Sequence, residues 1–278
     1  ETTLNEVAFI NPRESITKGN KAKKVPMDCI DPFTRKISRF EIKEFKGGTK
    51  FKNGDTLLAR ITPCLENGKT ALVDFLNKDE IGFGSSEYIV LREKKGKSFY
   101  KFLYYYSITP KFRKLAIKTM TGTSGRQRVQ TDVLINTTFI LPPVREQKSI
   151  ANVLSSFDDK IELLQDQNKT LEAMAQTIFK EWFGKYKIDD ELPKGWRVGK
   201  VTEIIERCSI SYRCVKSDLD KDGLTPIIDQ GKDGLYGYTK RSPDFIASQQ
   251  DPVVIFTNHT CNYWFIDYSF CAIQNVLP

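Results

Sequence analysis

One histidine, His259, occurs in 278 residues, and no two of the six cysteines (Cys29, Cys64, Cys208, Cys214, Cys261 and Cys271) stand in a C-x-x-C pair. That scarcity leaves Ser-His-Asp and Cys-His schemes without a local signature and zinc motifs without their usual spacing. The cysteines read as buried free thiols of a reducing compartment, and no metal site is expected. No apolar run reaches eighteen residues and no signal peptide opens the sequence, so a soluble cytoplasmic protein with no membrane partner is expected. The phosphate-cradling pattern G-x-x-x-x-G-K-[ST] is missing, as is any glycine-rich cofactor loop after a strand. Amino-methyltransferases carry an Asn/Asp-Pro-Pro-Tyr/Phe passage. Leu141-Pro142-Pro143-Val144 lacks both its polar and its aromatic end.

Proline and glycine are also missing from Glu146 to Phe183, and here the absence becomes a feature. Apolar positions recur at intervals of 4 and 3: Ile150, Leu154, Phe157, Ile161, Leu164, Asn168, Leu171, Ala175, Ile178, Trp182. Such a heptad seam predicts one helix about 57 Å long that pairs with another helix. The alternative is a core helix of one domain, which would carry a wider apolar stripe. Asn168 is the polar exception in the seam, of the kind that fixes register or partner. Asp158, Asp159, Lys160, Glu162 and Lys169 make the stretch too polar to cross a membrane.

The net charge is +8 and the pI about 9.0, which suits a polyanionic partner. Forty per cent hydrophobic content is enough for two cores. Before the long helix the pattern is one of short strands: Val25–Ile30, Thr56–Ile61 after the turn Asn53-Gly54-Asp55, Thr70–Phe75, Glu87–Leu91 and Ile135–Leu141. Leu4–Ile10 opens the chain. Ser98–Tyr106 and Lys111–Met120 read as helices, with Tyr104, Tyr105 and Tyr106 better explained by packing than by stacking on bases. Thr121 to Val129 places Arg126, Gln127 and Arg128 after two glycines, a loop able to approach phosphates and base edges. After the helix comes a linker, Leu192 to Trp196, and then a weak repeat. Thr3–Val7 matches Lys200–Ile204, and Asp55–Ala59 matches Asp251–Ile255, at offsets of 197 and 196.

These residues carry a family resemblance. Asn53 to Arg60, Thr123 to Val129, the passage Leu141-Pro142-Pro143-Val144-Arg145-Glu146-Gln147 into the helix, and the restart Leu192-Pro193-Lys194-Gly195-Trp196 resemble the specificity (S) subunit of type I restriction–modification systems. The resemblance implies an α+β protein with two target-recognition domains of short, mostly antiparallel strands plus helices, separated by a long coiled-coil helix. The expected bounds are 1–143, 144–186 and 187–278, the last being partial. It implies a non-catalytic subunit that reads a bipartite target in double-stranded DNA. It also implies docking to methyltransferase (M) subunits and assembly with restriction (R) subunits. S-adenosylmethionine, Mg and ATP would belong to those partners, and this chain would carry no cofactor. The rival readings are a coiled-coil scaffold that does not read DNA and a stand-alone nucleic-acid enzyme.

The expected DNA contacts are Arg60, Thr62, Lys69, Arg126, Gln127 and Arg128 in the first domain, with Lys18, Lys21, Lys23 and Lys24 as phosphate neighbours or plain solubilising charge. In the second they are Lys232, Arg241, Asn258 and His259. Helix pairing is assigned to Ile150, Leu154, Phe157, Ile161, Leu164, Asn168, Leu171 and Ile178. A full S subunit carries a second long helix, and this sequence stops before its counterpart. The seam is therefore expected to pair with a second copy, with a companion fragment, or with chain beyond Pro278. Exposed apolar surface is expected in the second domain.

Overall fold

The computed structural model describes residues 1–123, 125–209, 212–231, 234–257, 263–274 and 276–277. The chain divides into two compact units, Glu1–Glu181 and Trp182–Pro278. The division falls near the end of the long helix, which lies almost wholly within the first unit. None of the described helices is long and apolar enough to cross a membrane.

The first unit holds two four-stranded sheets. One runs in the order Ala8–Ile10, Tyr88–Glu93, Thr56–Ala59, Thr70–Leu72, all antiparallel. The other runs Glu41–Glu44, Lys21–Val25, Gly82–Gly84, Thr49–Phe51, with its central pair parallel. Leu57 and Val90 pack with Val25, Phe51 and Tyr88 in one core, while Leu58, Ile89 and Leu91 pack with Leu103 and Phe112 in another. Strands buried on both faces have no polar side, which is why Thr56–Ala59 and Tyr88–Leu91 read as apolar runs rather than as alternations. The helices Tyr100–Ile108 and Pro110–Lys118 supply the second core. The hydroxyl of Thr109 caps the second of them at Phe112 N–H, with Pro110 in its first turn. Tyr104 and Tyr105 are buried and Tyr106 packs on Phe139, so these rings serve packing and not base stacking.

Two sequence expectations are corrected, and the opening segment resolves into its elements. The strand expected at Val25–Ile30 ends at Val25, because Pro26 cannot donate to the ladder, and Met27–Cys29 form a 3-10 turn. Leu4–Ile10 is a short helix, Leu4–Val7, followed by the strand Ala8–Ile10. Ile135–Leu141 is mostly not strand: Thr131–Ile135 is helical, and Thr138–Phe139 alone pair, with Thr2–Thr3.

The turn Asn53-Gly54-Asp55 is a structural lock. Gly54 takes a φ of 87°, which glycine adopts without strain. The Asn53 side chain donates to Leu76 O at 2.7 Å and accepts from Leu76 N–H at 3.0 Å. Asp55, fully buried, accepts two hydrogen bonds from Arg92 at 2.6 and 2.7 Å.

The second unit repeats the plan. Thr225–Ile228 lies between Leu235–Thr239, antiparallel, and Cys271–Ala272, parallel. Val253–Thr257 lies between Tyr263–Ile266 and Val276–Leu277, both antiparallel. Their counterparts in the first unit are Lys21–Val25 and Thr56–Ala59 with their neighbours. The weak repeat at the start is physical as well. The Glu6 carboxylate accepts from Thr3 N–H at 2.7 Å, and the Glu203 carboxylate accepts from Lys200 N–H at 3.0 Å. Val254, Phe256, Tyr263 and Phe265 are exposed; in the first unit the helix Tyr100–Ile108 packs on that unit's own equivalent strands.

The long helix runs Val144–Phe183, 40 residues and about 60 Å. Its first turn is held by Gln147, which is fully buried. The Gln147 Oε1 accepts from Phe99 N–H at 2.9 Å, and Nε2 donates to Pro142 O at 2.9 Å and Lys97 O at 3.2 Å. Replacing it strands one donor and two acceptors in the interior. Gln147→Ala should therefore lower unfolding stability by about 3 kcal/mol in urea denaturation. A loss well under about 1 kcal/mol would show that Gln147 does not anchor the helix.

Candidate nucleic-acid interface and its helical mount

Two sequence-predicted clusters meet at one place. The chain after Thr56–Ala59 pairs with the Gly/Arg loop: Val129 N–H donates to Arg60 O at 2.8 Å, Thr62 N–H to Gln127 O at 3.0 Å, and Gln127 N–H to the Thr62 hydroxyl at 2.9 Å. Thr62 thus spends its polar groups on holding the loop. Arg60 and Arg128 converge on Glu87, which no sequence signal singled out. Arg60 Nε donates to Glu87 at 3.1 Å, and Arg128 donates through Nε at 3.0 Å and Nη2 at 2.8 Å. The Glu87 carboxyl is held below its ordinary range, chiefly by the Arg128 hydrogen bonds, against burial and with help from Arg60. Arg126 is exposed, and its guanidinium makes no hydrogen bond or ion pair among the described residues. Arg60 also lines a cleft of about 520 Å³ with Arg13, Lys50, Asn11 and Ser86. The result is a basic cluster in which Arg13, Lys50 and Arg60 line one cleft and Glu87 ties Arg60 to Arg128.

The other candidates are placed differently. The Lys69 ammonium donates to Met27 O at 2.8 Å, and Lys23 is paired with Glu80 at 2.9 Å, so both are used internally. Arg241 lies over the Tyr212 ring, 3.8 Å from its centroid. Lys232, Asn258 and His259 lie outside the described residues.

The helix that carries the seam is mounted by a polar stripe. Ala151 and Ser155 are buried against the unit, and the Tyr105 hydroxyl donates to Asp158 at 2.6 Å. Burial, together with that bond to a carboxylate, pushes Tyr105 up to about 12. Arg35, 7% exposed, donates through Nη2 to Asp159 at 2.6 Å and Glu162 at 2.8 Å, and through Nε to Glu162 at 3.1 Å. Burial alone would weaken the Arg35 charge, but the two carboxylates outweigh it and drive its pKa up. Lys36 to Asp166, at 3.5 Å, extends the stripe.

At 100° per residue this stripe (Gln147, Ala151, Ser155, Asp158, Glu162) lies roughly 100° around the helix from the heptad seam. Every seam position from Ile150 to Trp182 is exposed, Phe157 at 64% and Leu164 at 45% among them. Arg35, Tyr105 and Gln147 were missed in the sequence. The acidic run Asp158, Asp159, Glu162 was visible, but its partners lie more than fifty residues away along the chain.

The chain belongs to the type I restriction modification DNA specificity domain family, whose model matches residues 1–173. Among curated proteins it is 33% identical over 183 residues to the type I restriction enzyme EcoAI specificity subunit of Escherichia coli. That match covers 64% of this chain and 31% of the relative. It is 32% identical over 182 residues to the EcoEI specificity subunit of the same organism, covering 63% of this chain and 30% of that one. The alignment therefore spans about a third of each relative. An HsdS subunit from Thermoanaerobacter tengcongensis superposes with a TM-score of 0.48 at 19% identity, covering 99% of this chain and 73% of that one.

Two carboxylates here bind arginine in two settings, and burial separates their roles. Asp55→Asn discharges a fully buried carboxylate that pairs with Arg92, which keeps only Glu14 as a charged partner, and should cost about 3 kcal/mol in urea denaturation. Glu87→Gln, at the surface, should shift the midpoint by a small fraction of that. Equal losses would show that Glu87 is a structural pair like Asp55.

Proposed function

We propose that this chain is a DNA-reading specificity component of a type I restriction–modification assembly, with no catalysis of its own. The observation that carries the reading is the mount. A helix of about 60 Å is fixed to a domain mainly by polar contacts, with Ala151 packed beside them, while its apolar seam is left to solvent. The seam suits a partner helix, and the pair sets the distance between two DNA-reading surfaces, so the unread gap follows from helix length. Affinity comes from lysine and arginine on phosphates. Choice of sequence comes from side chains that reach base edges, with Arg60, Arg126, Gln127 and Arg128 as the first domain's candidates. Glu87 holds two of those arginines in a fixed orientation. Adenine methylation with S-adenosylmethionine falls to M subunits docked on the helices, and cleavage, with ATP and Mg, to R subunits.

The test is expression with the matching M subunit in a methylation-free host, followed by mapping of methyladenine over the genome. A split motif is expected. An asymmetric one means that two different surfaces read, and a symmetric one means that two copies pair through Ile150 to Trp182 and the first domain reads twice. Methyl transfer by the pure chain without M subunits would overturn the assignment. A companion prediction concerns the seam. Leu164→Asp should abolish helix pairing and M-subunit assembly by light scattering, while the first unit keeps its thermal midpoint, because Leu164 is exposed. Loss of the folded unit together with pairing would contradict the mounted-spacer picture.

A further inference from the structure

We propose that Cys214, Asp244 and Cys271 form a zinc site that staples the smaller core of the second unit. Nothing in the reading of the first unit or in DNA recognition requires it, so it stands or falls separately. The sequence offered no zinc spacing, and the fold supplies what the spacing lacks. The two sulfurs and a carboxylate oxygen all lie within 4.8 Å of one another. Cys214 is 3% and Cys271 0% exposed, and Asp244 is half-buried.

Backbone pairing brings the three donors together from three segments. Cys214 N–H donates to Ala272 O at 2.9 Å, and Cys214 bridges Ile273. Cys271 sits in the strand that runs parallel to Thr225–Ile228, opposite Ile227. Asp244 immediately precedes Phe245, which exchanges two hydrogen bonds with Phe270 at 3.0 Å each. A donor set held by its backbone is preorganised, the first requirement of a metal site.

The chemistry of the set selects the ion. Cysteine sulfur and carboxylate oxygen bind Zn²⁺ at about 2.3 and 2.0–2.2 Å, so ligand atoms in a tetrahedron stand about 3.5–3.8 Å apart. The cluster therefore needs to contract by at most about 1.3 Å. Two thiolates disfavour Mg²⁺ and Ca²⁺, which take oxygen. Binding breaks two S–H bonds, sends two protons to solvent and forms two Zn–S bonds, and water takes the fourth place.

The position also explains the need. The core at this point consists of Cys214, Ile227 and Cys271 with Ile273 packed against them, few apolar groups for one edge of a small unit. At the place of Cys271 in the equivalent parallel pair, the first unit has Phe83 opposite Lys24. A ring fills there what two small thiols leave thin here.

The test uses the full chain, purified under reducing conditions, stripped with a chelator and titrated with Co²⁺ and then Zn²⁺. The expected result is one equivalent of metal, a near-ultraviolet thiolate-to-cobalt charge-transfer band that zinc displaces, and a raised thermal midpoint with zinc. Cys214→Ser and Cys271→Ser should each abolish the band. Asp244→Asn, which keeps the side chain's shape, should weaken zinc by at least about tenfold. Three outcomes overturn the proposal. One is zinc uptake by the reduced chain no greater than that of the double cysteine variant. Another is a Cys214–Cys271 disulfide, with no metal bound, in mass spectrometry of chain purified without reductant. The third is zinc binding by Asp244→Asn as tight as that of the parent.

Discussion

The arrangement depends on one buried guanidinium. Arg35 sits at the edge of the first unit, where its carbonyl accepts from Leu72 N–H in the sheet, and its side chain grips Asp159 and Glu162 on the long helix. An apolar mount would have consumed the helix's apolar residues. A mostly polar mount, with only the small Ala151 packed against Leu72, Phe102 and Tyr104, leaves the seam free. The helix can therefore be rigidly attached on one side and still present an unbroken heptad seam on another. Gln147 fixes where the helix starts, and Arg35 with Tyr105 fixes its rotation. Those two constraints decide in which direction the seam faces relative to the arginine cluster on the same unit.

The seam was legible because a heptad is a local pattern, and Ile150 to Trp182 can be counted along the chain. Both helices after Ser98 were legible for the same reason. The mount was not, since Arg35 meets Glu162 across 127 positions and looks like any other arginine in a polar stretch. Strands went wrong where apolar residues do not mean pairing: Val25–Ile30 is cut by Pro26, and Ile135–Leu141 is held by a short helix and two paired residues. The candidate DNA contacts divided by environment. Arg60, Gln127 and Arg128 come together because the loop at 125–129 pairs with the chain beyond Ala59. Lys69 is drawn inward to a carbonyl, and Thr62 is used up in holding the loop. Glu87 carries no motif and emerges only as the acceptor of two arginines.

The two units show how a weak repeat becomes visible in three dimensions. Identity between Thr3–Val7 and Lys200–Ile204 is slight, yet in both a glutamate three positions on accepts from the backbone N–H that opens the turn. Strand order and direction then coincide, including the parallel pair, a rarer choice in a mostly antiparallel fold. What differs is covering. Helices bury the outer sheet face in the first unit, whereas Phe256 and Phe265 stand exposed in the second.

The central claim, that a polar grip centred on Arg35 fixes the helix to its unit while sparing the seam, is tested most directly by a double-mutant cycle between Arg35 and Glu162. Arg35→Leu, Glu162→Gln and the double variant are compared with the parent by urea denaturation. The account predicts that the double variant loses less than the sum of the single losses, with a coupling energy of about 1–3 kcal/mol. Additive losses, with no coupling, would mean that the grip of Arg35 on the helix contributes nothing, and the mount would have to be sought elsewhere.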